Sequence, residues 1–288
     1  MEMPVVRLIR EVTRPGGSGP SNGQFALQKA LYVRSPGWLK LGGTLRGGEI
    51  PWFWCWEDRE VAAAHAAAGQ PLILGPNVLF GHSRRPCAVP AERELCDAAS
   101  CRLIFTESRW YRDLIAEHRG PNNRARIVLW PYPIDPRPGG PLSAQYDLLI
   151  YAKSGYTADL IAGLTTAYRR SVTIPYGAYG RAELCALARR CRACAYLSDD
   201  DRGPLALAEI LLCGCPAIGI PRGAPFIRHG QTGIVLGGFR LAACLEGIRR
   251  CHQLDRYLVA AKAAEQFDTA RIVKTVLAAL RTAVLAAQ

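Results

Sequence analysis

Apolar residues recur along the chain in two alternating rhythms, and the alternation predicts a series of strands and helices. Continuous or every-second apolar runs mark strands, whereas i, i+3, i+4 spacing marks amphipathic helices. Val5 to Val12 reads as a short strand, Ile50 to Trp56 as a buried one, and Asp58 to Ala68 as a helix. Pro71 to Leu74 reads as a strand ending in Gly75-Pro76-Asn77. Arg102 to Thr106 is a further strand, then come helix Arg109 to His118 and strand Arg126 to Trp130. Between the first strand and the helical pattern Phe25 to Leu31 lies Pro15-Gly16-Gly17-Ser18-Gly19-Pro20-Ser21-Asn22-Gly23, read as a glycine-rich loop. Strand, glycine loop and helix in that order open a doubly wound α/β domain.

Pro131-Tyr132-Pro133-Ile134-Asp135-Pro136-Arg137-Pro138-Gly139-Gly140-Pro141 is hostile to helix and strand alike and marks a linker. A second α/β series follows it: strand Tyr146 to Ala152, helix Tyr156 to Tyr168, strand Ser171 to Pro175, helix Arg181 to Arg192 and a strand near Ala193 to Leu197. Residues Phe267 to Ala287 carry a long apolar helical pattern through Ile272, Val276, Leu280 and Val284. The pattern therefore predicts an α/β protein with an N-terminal Rossmann-like domain over 1–136, a linker over 137–146 and a second Rossmann-like domain over 147–266. A closing helix over 267–288 is expected to pack back on the first domain. Ligands of such a fold gather at the carboxyl ends of the parallel strands, in a cleft between the domains.

At 288 residues, with 49% hydrophobic residues, the chain is long enough for two cores. No apolar run reaches the length of a membrane span, and Met1-Glu2-Met3-Pro4-Val5-Val6-Arg7 lacks the basic-then-apolar order of a signal peptide, so a cytoplasmic protein is expected. Eleven cysteines invite a disulfide or zinc reading. Most sit inside apolar patterns, and Cys191 and Cys194 have no second pair at zinc-finger spacing, which favours buried free thiols. The formal charge of +12, mostly arginine, is spread over both halves. Such a field favours polyanionic or membrane-surface partners; the alternative is a solvated, arginine-rich surface.

The chemistry concentrates in Asp201-Arg-Gly-Pro-Leu-Ala-Leu-Ala-Glu209, which leads into Cys213-Gly214-Cys215-Pro216-Ala217-Ile218-Gly219-Ile220. It reads as acidic loop, helix, glycine stop and buried strand. A helix start offers unpaired N–H groups and a positive dipole end, which suits a phosphate. In this order, with Gly177-Ala178-Tyr179-Gly180-Arg181-Ala182-Glu183-Leu184 before it and Gly223-Ala224-Pro225-Phe226 to Gly233-Ile234-Val235 after it, the segment resembles the retaining two-domain GT-B glycosyltransferases, the broad group 1, family-four-like superfamily. The resemblance covers about residues 146–236 and is diffuse in the N-terminal half.

That resemblance implies a nucleotide-sugar donor, UDP-sugar first, with no permanently bound cofactor and no metal. Glu209 would hold the ribose hydroxyls and Asp201 would lie near the donor sugar. The backbone at Gly203, Pro204 and Leu205 would approach the donor, and Lys153 would neutralise the diphosphate leaving group. Tyr179 would pack against or bond the base beside Arg181. The family usually carries an arginine and a lysine after the strand where only Lys153 is evident; Arg181, Arg202 or Arg222 are the candidates for the second charge. A retaining mechanism needs no strong general base, because the leaving phosphate accepts the acceptor's proton. His82, in the loop after Gly75 to Gly81, matches a position where such enzymes place a histidine near sugar or acceptor. The Gly16–Gly23 loop, Gly19 included, is expected near donor phosphate or acceptor, with Glu107 and Ser108 at the rim. Trp52 to Trp56 reads as core rather than as a stacking platform. Asp199-Asp200-Asp201 reads as a solvated loop rather than a metal site. The charge and cytosolic character put 5-hydroxymethylpyrimidine in double-stranded DNA first as acceptor, as in phage-type enzymes. A lipid-linked or saccharide acceptor at the inner membrane, with peripheral membrane contact, is the alternative, and a non-catalytic GT-B-like binding module the third reading. A Rossmann oxidoreductase is disfavoured, because Gly16–Gly23 is no clean Gly-x-Gly-x-x-Gly turn.

Overall fold

The computed structural model describes every residue except 1–3, 14–18, 81–86, 131, 135–136 and 286–288. It divides into two compact units, one made of Met1–Pro133 with Thr269–Gln288, the other of Ile134–Asp268.

Unit 1 runs β1 (Val6–Leu8), α1 (Gly19–Arg34), β2 (Leu39–Leu41), β3 (Ile50–Phe53), α2 (Arg59–Ala67), β4 (Leu72–Leu74), α3 (Pro90–Asp97), β5 (Cys101–Thr106), α4 (Arg109–His118) and β6 (Arg126–Leu129). Its sheet is parallel throughout in the order β2-β1-β3-β4-β5-β6. The tryptophans of the Ile50 to Trp56 segment split. Trp52 and Trp54 are buried, and Trp52 lies 5.1 Å from Phe105 with Trp54 5.6 Å from Trp130, centroid to centroid, so these rings are core. Trp56 falls in a short 3₁₀ turn and carries the Arg59 guanidinium 3.7 Å over its ring.

The glycine-rich segment departs from expectation. Gly16, Gly17 and Ser18 lie outside the described residues, and the helix begins at Gly19 rather than at Phe25, so Gly19 to Gly23 are helical, not loop. Tertiary packing overrides the poor helix propensity of these residues. A Cβ on Gly23 would stand 2.3 Å from Cδ1 of Tyr132, so this helix turn lies flush on a buried ring that only glycine accommodates.

Unit 2 runs β7 (Tyr146–Ala152), α5 (Ala158–Ala167), β8 (Ser171–Pro175), α6 (Arg181–Ala188), β9 (Cys191–Leu197), α7 (Leu205–Leu212), β10 (Ala217–Gly219), β11 (Gly233–Val235), α8 (Leu241–Cys251) and α9 (Arg256–Gln266). The strands are again all parallel, in the order β11-β10-β9-β7-β8. Both faces are apolar, as a sheet covered by helices on both sides requires. Leu149, Tyr151, Cys194 and Tyr196 pack with α6, α7 and α9, while Leu148, Ile150, Ala193 and Ala195 pack with α5 and α8. The chain then returns to unit 1 as α10 (Thr269–Leu285), whose Ile272, Val276, Leu280 and Val284 are buried and which contacts α1 and β5.

Candidate functional site

In unit 2 the chain leaves β7 for β8 on one side and returns to β9 on the other. The ends of β7 and β9 are therefore a topological switch point, where loops leave in opposite directions and open a crevice. Ala152 and Leu197 are register partners at this edge, so Lys153 and the loop Ser198 to Asp201 emerge side by side. The loop is tied down by its backbone: Lys153 N and Ser154 N donate to Leu197 O at 2.9 and 3.1 Å, and Asp201 N donates to Arg222 O at 2.9 Å. Gly223 makes that last approach possible, because a Cβ there would stand 1.5 Å from the carbonyl oxygen of Ser198.

Lys153 Nζ donates to Asp201 Oδ2 at 2.6 Å, and the hydroxyl of Tyr196 donates to the same oxygen at 3.0 Å. Both partners of the ion pair are largely withdrawn from solvent. Burial pushes the Asp201 carboxyl above its ordinary value, while Lys153 and Tyr196 pull it back down. Lys153 Nζ also lies 4.8 Å from the ring of Tyr176, itself 61% exposed. The neighbouring acids point elsewhere: Asp199 accepts from Ser154 Oγ at 2.5 Å, and Asp200 pairs with Arg222 at 3.8 Å. No three His, Cys, Asp or Glu side chains among the described residues converge as a metal site.

Glu209 stands one turn inside α7 and is buried. Its Oε1 accepts a hydrogen bond from Nε of Arg181, the first residue of α6. Burial pushes the Glu209 carboxyl up, and Arg181 opposes that shift. Helix geometry leaves the N–H groups of the first turn, Leu205 to Leu207, without intrahelical acceptors. Pro204 is the N-cap of α7 and has no N–H, so Gly203 and Leu205 are the donors of the expected trio.

A ladder of phenols connects the two ends of this edge. Tyr196 and Tyr151 are register partners whose rings stack at 4.6 Å and 4°. The hydroxyls of Tyr151 and Tyr179 are 2.7 Å apart, and Tyr179 leads into α6 beside Arg181. Burial raises all three phenols above their ordinary value, so they are neutral donors at neutral pH. The structure thus brings Lys153, Asp201, Tyr179, Arg181, Glu209 and the start of α7 onto one edge of unit 2. Tyr151 and Tyr196 escaped the sequence reading; their signal was a polar tip at the carboxyl end of two otherwise apolar strands.

Other candidates fall elsewhere. His82 lies outside the described residues. Gly19 opens α1 in unit 1. Glu107 and Ser108 are buried after β5 rather than exposed at a rim, Glu107 accepting from Tyr132 at 2.9 Å. Arg202 and Arg222 flank the Asp201 loop, and Arg181 reaches Glu209.

This architecture, two Rossmann-like units with parallel sheets, is the GT-B fold. Solved structures of that class match nearly the whole chain. AviGT4, a glycosyltransferase involved in avilamycin A biosynthesis, aligns with a TM-score of 0.56 at 15% identity over 100% of this chain and 99% of its own. HepE of Anabaena, solved in complex with UDP, aligns with 0.60 at 12% identity over 97% and 100%. The lipopolysaccharide outer core galactosyltransferase WaaB aligns with 0.59 at 12% identity over 91% and 80%. No family model matches the sequence, and no curated protein does.

Proposed function

We propose that the protein is a retaining glycosyltransferase that moves a sugar from a nucleoside-diphosphate sugar, UDP-sugar first, to a hydroxyl acceptor. The observation that carries this reading is the Lys153–Asp201 pair at the β7/β9 switch point, with a helix start and the Arg181–Glu209 pair on the same strand edge. The diphosphate takes Lys153 and the N–H groups opening α7, Glu209 takes the ribose, and Tyr179 borders the base. Asp201, freed of Lys153, takes donor-sugar hydroxyls. As the bond between the anomeric carbon and the phosphate oxygen breaks, negative charge grows on the diphosphate. Lys153, with Arg181 as second cation, stabilises it. The acceptor oxygen bonds to the same face of the sugar, and its proton passes to the departing phosphate.

Support for UDP comes from the Anabaena neighbour, whose structures hold UDP and UDP-glucose. Hydroxymethylated DNA rests on the +12 charge, the expected cytosolic character and the small size of the chain. Many of these cations are already engaged: Arg7 with Glu49, Arg10 with Asp58, Arg170 with Asp147, Arg249 with Glu246, and Arg256 with four backbone carbonyls. That pattern suits a solvated arginine-rich surface, and a saccharide or lipid-linked hydroxyl is the acceptor we favour. Calorimetry with UDP and UDP-sugars tests the donor, with binding expected; no binding of any nucleotide sugar overturns the enzyme reading. Transfer assays on hydroxymethylated DNA against glycan and lipid-linked acceptors decide the rest.

A further inference from the structure

Cys185 and Cys213 sit one helical turn below the two members of the Arg181–Glu209 pair. Cys185 follows Arg181 by four residues on α6, and Cys213, which caps α7, follows Glu209 by four. Residues four apart share a helix face, so the thiols repeat the pairing of the arginine and the glutamate one turn on. Cys213 Sγ donates to the carbonyl oxygen of Cys185 at 3.6 Å, which sets the two residues side by side across α6 and α7. Cys213 is buried, whereas Cys185 is partly open to solvent.

We infer that Cys185 and Cys213 form a peroxide-sensitive thiol pair whose disulfide distorts the nucleotide end of the donor site. The chemistry stands on the thiols alone; its consequence rests on the donor reading above. The Cys185 thiolate attacks one oxygen of a hydroperoxide, the O–O bond breaks, and the departing hydroxide leaves as water with the proton Cys185 released. The sulfur of Cys213 then attacks the resulting sulfenic acid, the S–O bond breaks, and a second water leaves with the Cys213 proton. Two electrons pass from the thiols to the peroxide.

Several features favour Cys185 as the attacking group. The Cys213 side chain lies against it, and Arg181 and Arg189 flank it one turn away on either side. Together they hold its pKa below the ordinary thiol value, though burial and Glu209 oppose them. Burial instead pushes Cys55, Cys101 and Cys191 up to about 12. A partly open thiol beside cations, with a second cysteine side chain packed against the same residue, is the arrangement of a redox-sensitive pair. Closing the S–S bond to its length of about 2.05 Å draws the thiols well inside van der Waals contact. That pulls α6 and α7 together directly beneath Arg181 and Glu209.

The full chain is treated with hydrogen peroxide or with dithiothreitol, digested without reduction and mapped by mass spectrometry, while UDP affinity is measured on both samples. A Cys185–Cys213 peptide is expected only after peroxide, with UDP affinity lower by about tenfold and restored by dithiothreitol; misplacement of about 1 Å in a tight site has costs of that order or larger. Cys213→Ala is expected to keep the affinity of the reduced protein, lose the peroxide effect and leave Cys185 trappable as a sulfenic acid. If that buried substitution unfolds the protein by circular dichroism, Cys185→Ser replaces it, with the same loss of sensitivity expected. A linked peptide between other cysteines alone, or none, overturns the pair. A Cys185–Cys213 link with unchanged UDP affinity overturns its effect on the site. A reduced protein that binds no UDP overturns the donor reading and the consequence with it, while the peptide map still decides the disulfide.

Discussion

Unit 1 places Arg10, two residues past β1, against Asp58 in the turn after β3; unit 2 places Lys153, directly past β7, against Asp201 after β9. In strand order these are equivalent places, since β3-β1-β2 and β9-β7-β8 reverse direction at the same step. Both switch points hold a cation from the first strand and an acid from the third, yet they differ in what could replace the pair. Arg10 grips Asp58 Oδ1 through both Nε and Nη2, at 3.0 and 2.7 Å, and the other carboxyl oxygen accepts from Cys55 N at 3.3 Å. Gln24 of α1 closes over the same turn through Arg10 O and Cys55 Sγ. Lys153 instead makes a single-point contact on a flexible stem, beside an exposed tyrosine and a helix start. A pair built on a point charge yields to a competing anion more readily than a two-nitrogen grip on a carboxylate. Equivalent topology therefore supplies a locked strut in one unit and a displaceable latch in the other.

The sharpest way to break this comparison is to remove both cations. Lys153→Met is expected to lower sugar transfer by about 10²–10³-fold, as loss of a preorganised charge at a leaving group does. Arg10→Met is expected to leave UDP affinity unchanged; equal losses of UDP affinity in both variants would show that the two switch points are not distinct in kind. Glu209→Ala comes next, with UDP affinity down roughly 10–100-fold by calorimetry, the range for hydrogen bonds to a charged group. Unchanged affinity there contradicts the ribose role. Tyr196→Phe keeps the stacked ring and removes the hydroxyl on Asp201, so kcat is expected to fall several-fold, about the worth of one net hydrogen bond, with the KM for donor unchanged. A rise in KM alone would place Tyr196 in binding rather than in orienting Asp201.

The smallest effect separates the units by sign. Arg7 holds the Glu49 carboxyl down at about 2 in unit 1, through a hydrogen bond reinforced by charge. A depressed folded value means stability that is present above the unfolded carboxyl range and lost as pH falls toward about 2. Arg7→Met should therefore cost stability at pH 6 and little once the pH has fallen to about 2. Asp201 is raised by burial, so ionising it costs stability as pH rises through its folded value. Lys153→Met deepens that cost, and its melting-temperature deficit is expected to grow with pH and vanish in acid. Parallel thermal melts from about pH 2 to about pH 8 compare the two slopes directly.

Much of unit 2 was legible in the sequence. Strands Tyr146 to Ala152 and Ser171 to Pro175 and helix Arg109 to His118 in unit 1 stand where their apolar spacing put them. What escaped has a local cause. β2 is three residues long inside a glycine- and lysine-bearing stretch, too short for any period to show. The α1 start was hidden because glycines are poor helix formers, and Gly23 stands there for its close contact with Tyr132 rather than for helix propensity. Helix Arg181 to Arg192 ends early, at Ala188, because β9 already begins at Cys191. At the site, Lys153, Asp201, Glu209, Tyr179 and Arg181 could be named through the resemblance their motifs carry, but their pairing could not. Lys153 and Asp201 are 48 positions apart and meet only because β7 and β9 are neighbours in register.

Because α10 is made after unit 2 but belongs with α1 and β5, unit 1 is discontinuous along the chain. On a ribosome, the segment synthesised second can finish folding first, while the earlier one waits for its last helix. A chain stopped near Asp268 would look like a clean cut after the second unit. It would instead strip the apolar face of Ile272, Val276, Leu280 and Val284 from the first, leaving its α1 and β5 surfaces bare. The order of synthesis and the order of assembly thus run in opposite directions, and unit 1 depends on a stretch made after unit 2 to cover its apolar surface.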